Sequence, residues 1–228
     1  MGAAGAMDTH GIGLIARNER VFVAGKTGSG KSQIAGRYLA APLYPNVIVL
    51  DTKGDSVEGP QKMWPALARV QKIPVFTKLK QLGDFRAGKC IYRPSRQEKT
   101  AFYFAKFFDW ILARGNTVVW VDEVYSVVHK GGEGVDAYEE CLTQGRSRGV
   151  GVWTCTQRPM HLPNFAISEA EHYFIFRLKM PQDRQKVAGA MEMDERDFAN
   201  PTGQHGFRYY RDGWDAPILL PDGVNLGF

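Results

Sequence analysis

The chain has 228 residues, 44% of them hydrophobic, with a formal net charge of +5 and three cysteines. That is enough chain and enough apolar surface to bury one full core, and a second domain is not expected. Cys90, Cys141 and Cys155 are odd in number and show no C-x-x-C spacing, which excludes a disulfide framework or a zinc ribbon and leaves them as small core residues. No apolar run approaches a membrane span, and Met1 to His10 lacks the basic start and apolar centre of a signal peptide, so a soluble intracellular protein is expected.

Residues 1–19 read as a lead, partly flexible, and 20–228 as a single domain. Residues 20–24 are a first strand, and it runs straight into Gly25-Lys26-Thr27-Gly28-Ser29-Gly30-Lys31-Ser32, which fits G-x-x-x-x-G-K-[ST]. In such a loop the glycines let successive N–H groups turn inward around phosphates. Lys31 can reach the β- and γ-phosphates, and the Ser32 hydroxyl can be placed on Mg²⁺. Ile34, Ala35, Tyr38 and Leu39 then fall at helical spacing, so a helix over 30–41 aims the positive end of its dipole at the same phosphates. This strand-loop-helix setting favours a nucleotide site over a glycine-rich turn without a ligand.

Asn46 to Asp51 is a short apolar run of the kind buried on both faces of a sheet. It ends in Asp51-Thr52-Lys53-Gly54-Asp55, polar residues on the edge where α/β proteins bind ligands. From Lys62 to Lys99 ten Lys or Arg stand against Asp84 and Glu98, a local balance of +8 that leaves the rest of the chain at −3. A basic stretch this localised points to a polyanion, most simply nucleic acid held through its phosphates, or else to a solvated face. A short helix is expected near 61–70 and strands near 73–76 and 89–92.

Gln97 to Arg114 reads as a strong helix. Phe104, Phe107, Phe108, Ile111 and Leu112 share one of its faces, a core stripe and not a stacking platform for bases. Thr117 to Glu123 is a buried strand ending in two carboxylates. Asp122 at that position suits the Mg²⁺ environment, and Glu123 can orient and partly deprotonate the attacking water. The glycine-rich stretch from Lys130 to Gly134 is expected as a loop, either a plain turn or a channel-facing grip on DNA.

A helix over 135–148, a strand over 150–156, a strand over 172–179 and a helix over 181–191 follow. His205 to Arg211 and Trp214 to Leu220 flank Asp212-Gly213 as a hairpin with a tight primed turn. Strands alternating with helices imply a mostly parallel sheet covered on both faces.

Three stretches together resemble the FtsK/HerA superfamily of nucleic-acid-pumping ATPases: Gly25 to Ser32, Val118 to Glu123, and Gln144-Gly145-Arg146-Ser147-Arg148-Gly149 leading to Thr156-Gln157-Arg158-Pro159. The resemblance spans about residues 20–180. It implies a RecA-like P-loop NTPase fold of the ASCE class, with a C-terminal hairpin beyond the matched region. It also implies an ATP hydrolase with ATP and Mg²⁺ as cofactors. Lys31 and Ser32 become the nucleotide and Mg²⁺ contacts, Asp122 and Glu123 the Walker B pair, and Gln157 a sensor of the γ-phosphate. Arg146 or Arg148 becomes an arginine finger that reaches a neighbouring subunit's ATP, with Arg146 favoured.

The compact chain is similar to the genome-packaging ATPases of double-stranded DNA viruses with internal membranes. The expected activity is therefore translocation of double-stranded DNA into a preformed capsid by a ring, hexameric or pentameric. Expected partners include a capsid vertex or internal-membrane protein, and the expected location is the host cytoplasm, with association at a packaging vertex. The alternatives are an ATPase for protein export or virion extrusion and a plasmid or conjugative DNA-transfer motor.

Overall fold

The computed structural model describes residues 12, 14–53, 59–129, 132–198 and 203–221. In chain order the elements are β1 (Arg20–Ala24), α1 (Lys31–Ala40), β2 (Val47–Leu50), α2 (Gly59–Met63), α3 (Leu67–Val70), β3 (Val75–Phe76), α4 (Leu79–Gly83), β4 (Lys89–Tyr92) and α5 (Ala101–Arg114). Then come β5 (Val118–Val121), α6 (Tyr125–Val128), α7 (Glu133–Gln144), β6 (Gly151–Thr156), α8 (Phe165–Ser168), β7 (His172–Phe176), α9 (Pro181–Ala190), β8 (Phe207–Arg211) and β9 (Ile218–Leu220). Among the described residues no helix is long and apolar enough to cross a membrane.

The strands form one nine-stranded sheet in the order β3-β4-β2-β5-β6-β1-β7-β8-β9, parallel from β3 to β7 and antiparallel from β7 onward. The expectation of a mostly parallel sheet between helices holds, and the chemistry of the strands explains it. Val47-Ile48-Val49-Leu50 and Val118-Val119-Trp120-Val121 are buried at every position, as strands covered on both faces must be.

Alternate residues of the central strands feed two cores. Phe22, Ile48, Leu50, Val119, Val121 and Val152 face α5 and α7, while Val21, Val23, Val49, Trp120, Trp153 and Phe174 face α1. The α5 stripe predicted as core, Phe104 to Leu112, is buried as expected. The three cysteines are buried and unpaired, and burial pushes the Cys90 thiol up to about 12.

Several boundaries differ from the sequence expectation, each for a tertiary reason. The helix expected from Gln97 begins at Ala101, where Thr100 accepts a hydrogen bond from Tyr103 N at 3.4 Å. Ahead of it Glu98 turns inward and accepts from Leu79 N at 2.8 Å and from the Tyr92 hydroxyl at 2.7 Å, which holds Arg96–Glu98 in a 3₁₀ turn. The helix expected over 135–148 runs from Glu133 to Gln144, and Gly145–Arg148 is a 3₁₀ turn. Pro65 splits the helix expected near 61–70 into α2 and α3.

The tight turn expected at Asp212-Gly213 forms, closed by Trp214 N on Arg211 O, but of its two central residues only Gly213 has a positive φ, 82°, so it is not a primed turn, and the strands do not pair directly across it. Phe207 pairs with Leu220 and Tyr209 with Ile218, so β9 starts only at Ile218. Trp214 donates its N–H to Arg211 O at 3.0 Å and packs edge-on against Tyr209, which takes it out of the strand.

Within the loop expected at Lys130 to Gly134, Lys130 and Gly131 lie outside the described residues, and Glu133 and Gly134 already belong to α7. The basic segment is only partly a surface feature. Lys89 turns inward to donate to Leu39 O at 2.6 Å and to Ala41 O and Tyr44 O, closing the end of α1, and Arg93 pairs with Asp51 at 2.9 Å. Burial lowers the Lys89 ammonium to about 8. Arg69, Lys72, Lys78, Lys80, Arg86 and Arg96 are exposed, near the β3 edge of the sheet.

Candidate active site

The loop from Gly25 to Gly30 leaves the carboxyl end of β1, and the sheet explains its shape. Gly25 approaches Phe176 so closely that an added Cβ would lie 2.5 Å from the Phe176 Cβ. Gly28 and Gly30 have φ of 75° and 102°, a left-handed conformation that glycine adopts without strain. Helix α1 then starts at Lys31, and Gln33 N and Ile34 N both donate to Gly30 O at 3.0 Å, which leaves the N–H groups of Lys31 and Ser32 without an acceptor in the helix. Free N–H groups at a helix start suit phosphate oxygens.

Lys31 is buried and donates to Gly25 O at 2.6 Å and Lys26 O at 2.9 Å. Burial, reinforced by repulsion from Lys53, holds its ammonium below the usual lysine range. The Ser29 hydroxyl is wholly buried inside the loop with no hydrogen-bond partner, a polar group that a phosphate oxygen suits.

The two acids arrive from β5, which is separated from β1 by β6. Asp122 and Glu123 stand just beyond the end of that strand, with 2% and 8% of their surfaces exposed. Ser32 Oγ donates to Asp122 Oδ1 at 2.9 Å, so the loop and the acid strand meet directly. These two hard oxygens fit Mg²⁺, which binds a protein through one or two side chains and completes its shell with phosphate and water. No group of three or more potential metal ligands exists among the described residues, so a cage built from protein alone is not offered.

Glu123 Oε1 accepts from Thr156 Oγ1 at 3.0 Å at the end of β6. Burial holds the Glu123 carboxyl above the usual range, although Lys53, Thr156 and Lys31 all pull it down. Gln157, one residue on, accepts at Oε1 from Thr27 Oγ1 at 2.5 Å and so touches the loop. Arg158 and Met160 beyond it are fixed by the buried Asp183, at 3.1 and 3.0 Å. Lys31, Ser32, Asp122, Glu123, Thr27 and Gln157 thus converge on one edge of the sheet.

Arg146 and Arg148 do not join them. They precede β6, whereas the phosphate loop follows β1, and these two strands are parallel with Arg20 opposite Val152 and Ala24 opposite Thr156. The arginines therefore sit at the far end of the sheet. Arg146 pairs with Glu171 at 2.7 Å with 60% of its side chain exposed, and Glu171 also pairs with Arg20 at 3.2 Å.

Three participants were not singled out in the sequence. Lys53, at the end of β2, lies 3.4 Å from Asp122 Oδ2 and 3.7 Å from Glu123 Oε2. Its signal was the polar run after a buried strand. Thr156 opens the Thr156-Gln157-Arg158-Pro159 stretch quoted for the resemblance, which assigned it no role, and Asp183 gave no signal, because it acts through residues on another element.

No family model matches the chain. It is 32% identical to the DNA packaging ATPase P9 of Enterobacteria phage PRD1 over 182 residues, 77% of this chain and 71% of that protein. In fold it is similar to B204, the DNA-packaging ATPase of Sulfolobus Turreted Icosahedral Virus, with a TM-score of 0.69, 18% identity and coverage of 91% of this chain and 99% of that one. The B204 structure from Sulfolobus turreted icosahedral virus 2 in complex with ATP-gammaS gives a TM-score of 0.68 at 18% identity over 91% of this chain and 99% of that chain. The cytoplasmic domain of the Thermomonospora curvata Type VII secretion ATPase EccC gives 0.58 at 15% identity, covering 95% of this chain and 28% of that one.

Proposed function

Since the chain belongs to the family of the PRD1 DNA packaging ATPase P9, we propose that it is an FtsK/HerA-type ATP hydrolase that packages a viral genome by driving double-stranded DNA into a preformed capsid. The observation that carries this reading is the Ser32–Asp122 contact beside Glu123, which joins a phosphate loop to a hydrolytic acid pair.

In this reading the N–H groups of Gly25 to Ser32 and the Lys31 ammonium hold the triphosphate. Ser32 and Asp122 would hold Mg²⁺, which supplies charge neutralisation on the phosphate oxygens when bound. Glu123 accepts a proton from the attacking water as the water oxygen bonds to the γ-phosphorus. The bond to the β–γ bridging oxygen breaks, and ADP leaves with the electron pair. A carboxyl raised by burial is a better base near neutral pH than an ordinary glutamate. Thr156 fixes the orientation of that base, and Gln157 reports the γ-phosphate to the loop through Thr27.

Arg146 or Arg148 completes the site of a neighbouring copy, supplying positive charge to the transferring phosphoryl group. The working form is a ring of six or five copies acting in the host cytoplasm and docking at a capsid vertex or internal-membrane protein. DNA is held through phosphates without sequence preference, with the exposed lysines and arginines near the β3 edge as one source of charge.

The test is ATP turnover with and without duplex DNA, measured alongside mass in solution. DNA should stimulate turnover, and the stimulation should fall steeply as salt rises. Glu123→Gln should bind ATP and fail to hydrolyse it, while Lys31→Ala should not bind. Turnover indifferent to DNA, from a protein that stays monomeric with ATP and DNA present, would overturn the proposal.

A further inference from the structure

Each of the two acids uses its oxygens in the same way. Asp122 gives one oxygen to the Ser32 hydroxyl and the other to Lys53, while Glu123 gives one to the Thr156 hydroxyl and turns the other toward Lys53. One ammonium therefore serves the remaining oxygen of both carboxylates. Two adjacent buried carboxylates are a poor neighbour for a triphosphate, since like charges repel strongly where water is excluded. Lys53 halves that negative charge.

The contact is not needed to join the strands. Asp122 N already donates to Leu50 O at 3.2 Å, and Thr52 Oγ1 donates to Glu123 O at 3.4 Å, so the tips of β2 and β5 are tied by uncharged bonds. Lys53 is also the open member of the cluster, with 37% of its side chain exposed against 2% and 10% for the two acids. A charge that only held the fold together could stand on the buried side. This one stands where a nucleotide and its metal would approach.

We infer that Lys53 is a positioning residue of the hydrolysis site, orienting Asp122 and Glu123 and offsetting their charge so that a nucleotide triphosphate can enter. The role deepens the ATPase reading and rests on Lys31, Ser32, Asp122 and Glu123 forming the nucleotide site. It has a signature that a scaffold role lacks. Lys53 and a divalent cation both supply positive charge at the same acids, so removing the lysine makes nucleotide binding lean harder on the metal.

The experiment measures the affinity of a fluorescent ATP analogue in Mg²⁺ and in EDTA, for the wild-type chain and for Lys53→Gln and Lys53→Arg. In Lys53→Gln the ratio of the two dissociation constants should rise about tenfold, because the loss falls on the metal-free form. Lys53→Arg keeps the charge and should keep the ratio within about threefold of wild type. A Lys53→Gln ratio equal to wild type would overturn the role, including the case where both affinities drop together through a folding defect. Failure of the wild-type chain to bind the analogue at all would instead overturn the nucleotide site, and this role with it.

Discussion

Thr156→Val removes the hydrogen bond proposed to steer Glu123, together with the one that the same hydroxyl accepts from Arg158 N. The side chains have nearly the same shape and Thr156 is wholly buried, so packing should survive while one hydroxyl is lost. That hydroxyl donates to Glu123 Oε1 at 3.0 Å and accepts from Arg158 N at 3.1 Å. A hydrogen bond to an ionised group contributes about 1.5–3 kcal/mol. Lost from the proposed base, that amount lowers kcat at neutral pH by about 10- to 150-fold.

The pH dependence gives the sharper readout. Burial already raises the Glu123 carboxyl, and the Thr156 bond opposes that rise. Without the bond the carboxyl rises further, so less of it is ionised at neutral pH and the acid limb of kcat moves to higher pH. Activity should recover toward alkaline pH, and KM for ATP should change little, since Thr156 does not touch the phosphate loop through its side chain. Steady-state ATPase assays from pH 5.5 to 9.5 would measure this. A Thr156→Val profile that superimposes on wild type would refute the claim that this bond tunes the base.

Gly36→Ala should destabilise the fold, against the ordinary helix preference of about 1 kcal/mol for alanine. The new Cβ would lie 2.1 Å from the main-chain Met63 O, so α1 must move off α2, and a net loss of about 2 kcal/mol lowers Tm by about 4–8 °C in thermal denaturation. A raised Tm would show that the contact yields easily. Arg146→Ala and Arg148→Ala should leave nucleotide affinity of an isolated subunit unchanged, while one of them lowers assembled turnover by about 10³-fold. Mixing that variant with Lys31→Ala subunits should restore turnover, and a mixture as inactive as its parts would exclude completion by a neighbour.

Much of the sheet was legible because its strands are short β-branched or aromatic runs, unmistakable at Val47 to Leu50 and Val118 to Val121. The shape of the loop from Gly25 to Gly30 was legible because its signal is local, three glycines and a following lysine on one strand-to-helix connection. What could not be read was set by contacts across the fold. Glu98 looks like an ordinary helix-start acid until Leu79 N and Tyr92 are beside it. Lys89 counted toward a basic surface, yet it closes the end of a helix nearly fifty positions earlier. Lys53 joined the acids only once the sheet order set β2 beside β5.

The separation between the phosphate loop and the arginines before β6 has a consequence for symmetry. The two features lie at opposite ends of the parallel strands. If the arginine of one copy completes the loop of the next, as proposed, this placement allows two arrangements. Two antiparallel copies side by side would satisfy both loops about a two-fold axis and stop at a dimer, whereas copies in one orientation, each offering its arginine end to the next, make a head-to-tail contact that every added copy renews. Only the second arrangement builds a ring, and it closes only if the rotation from one copy to the next sums to a full turn; otherwise it grows as an open helix.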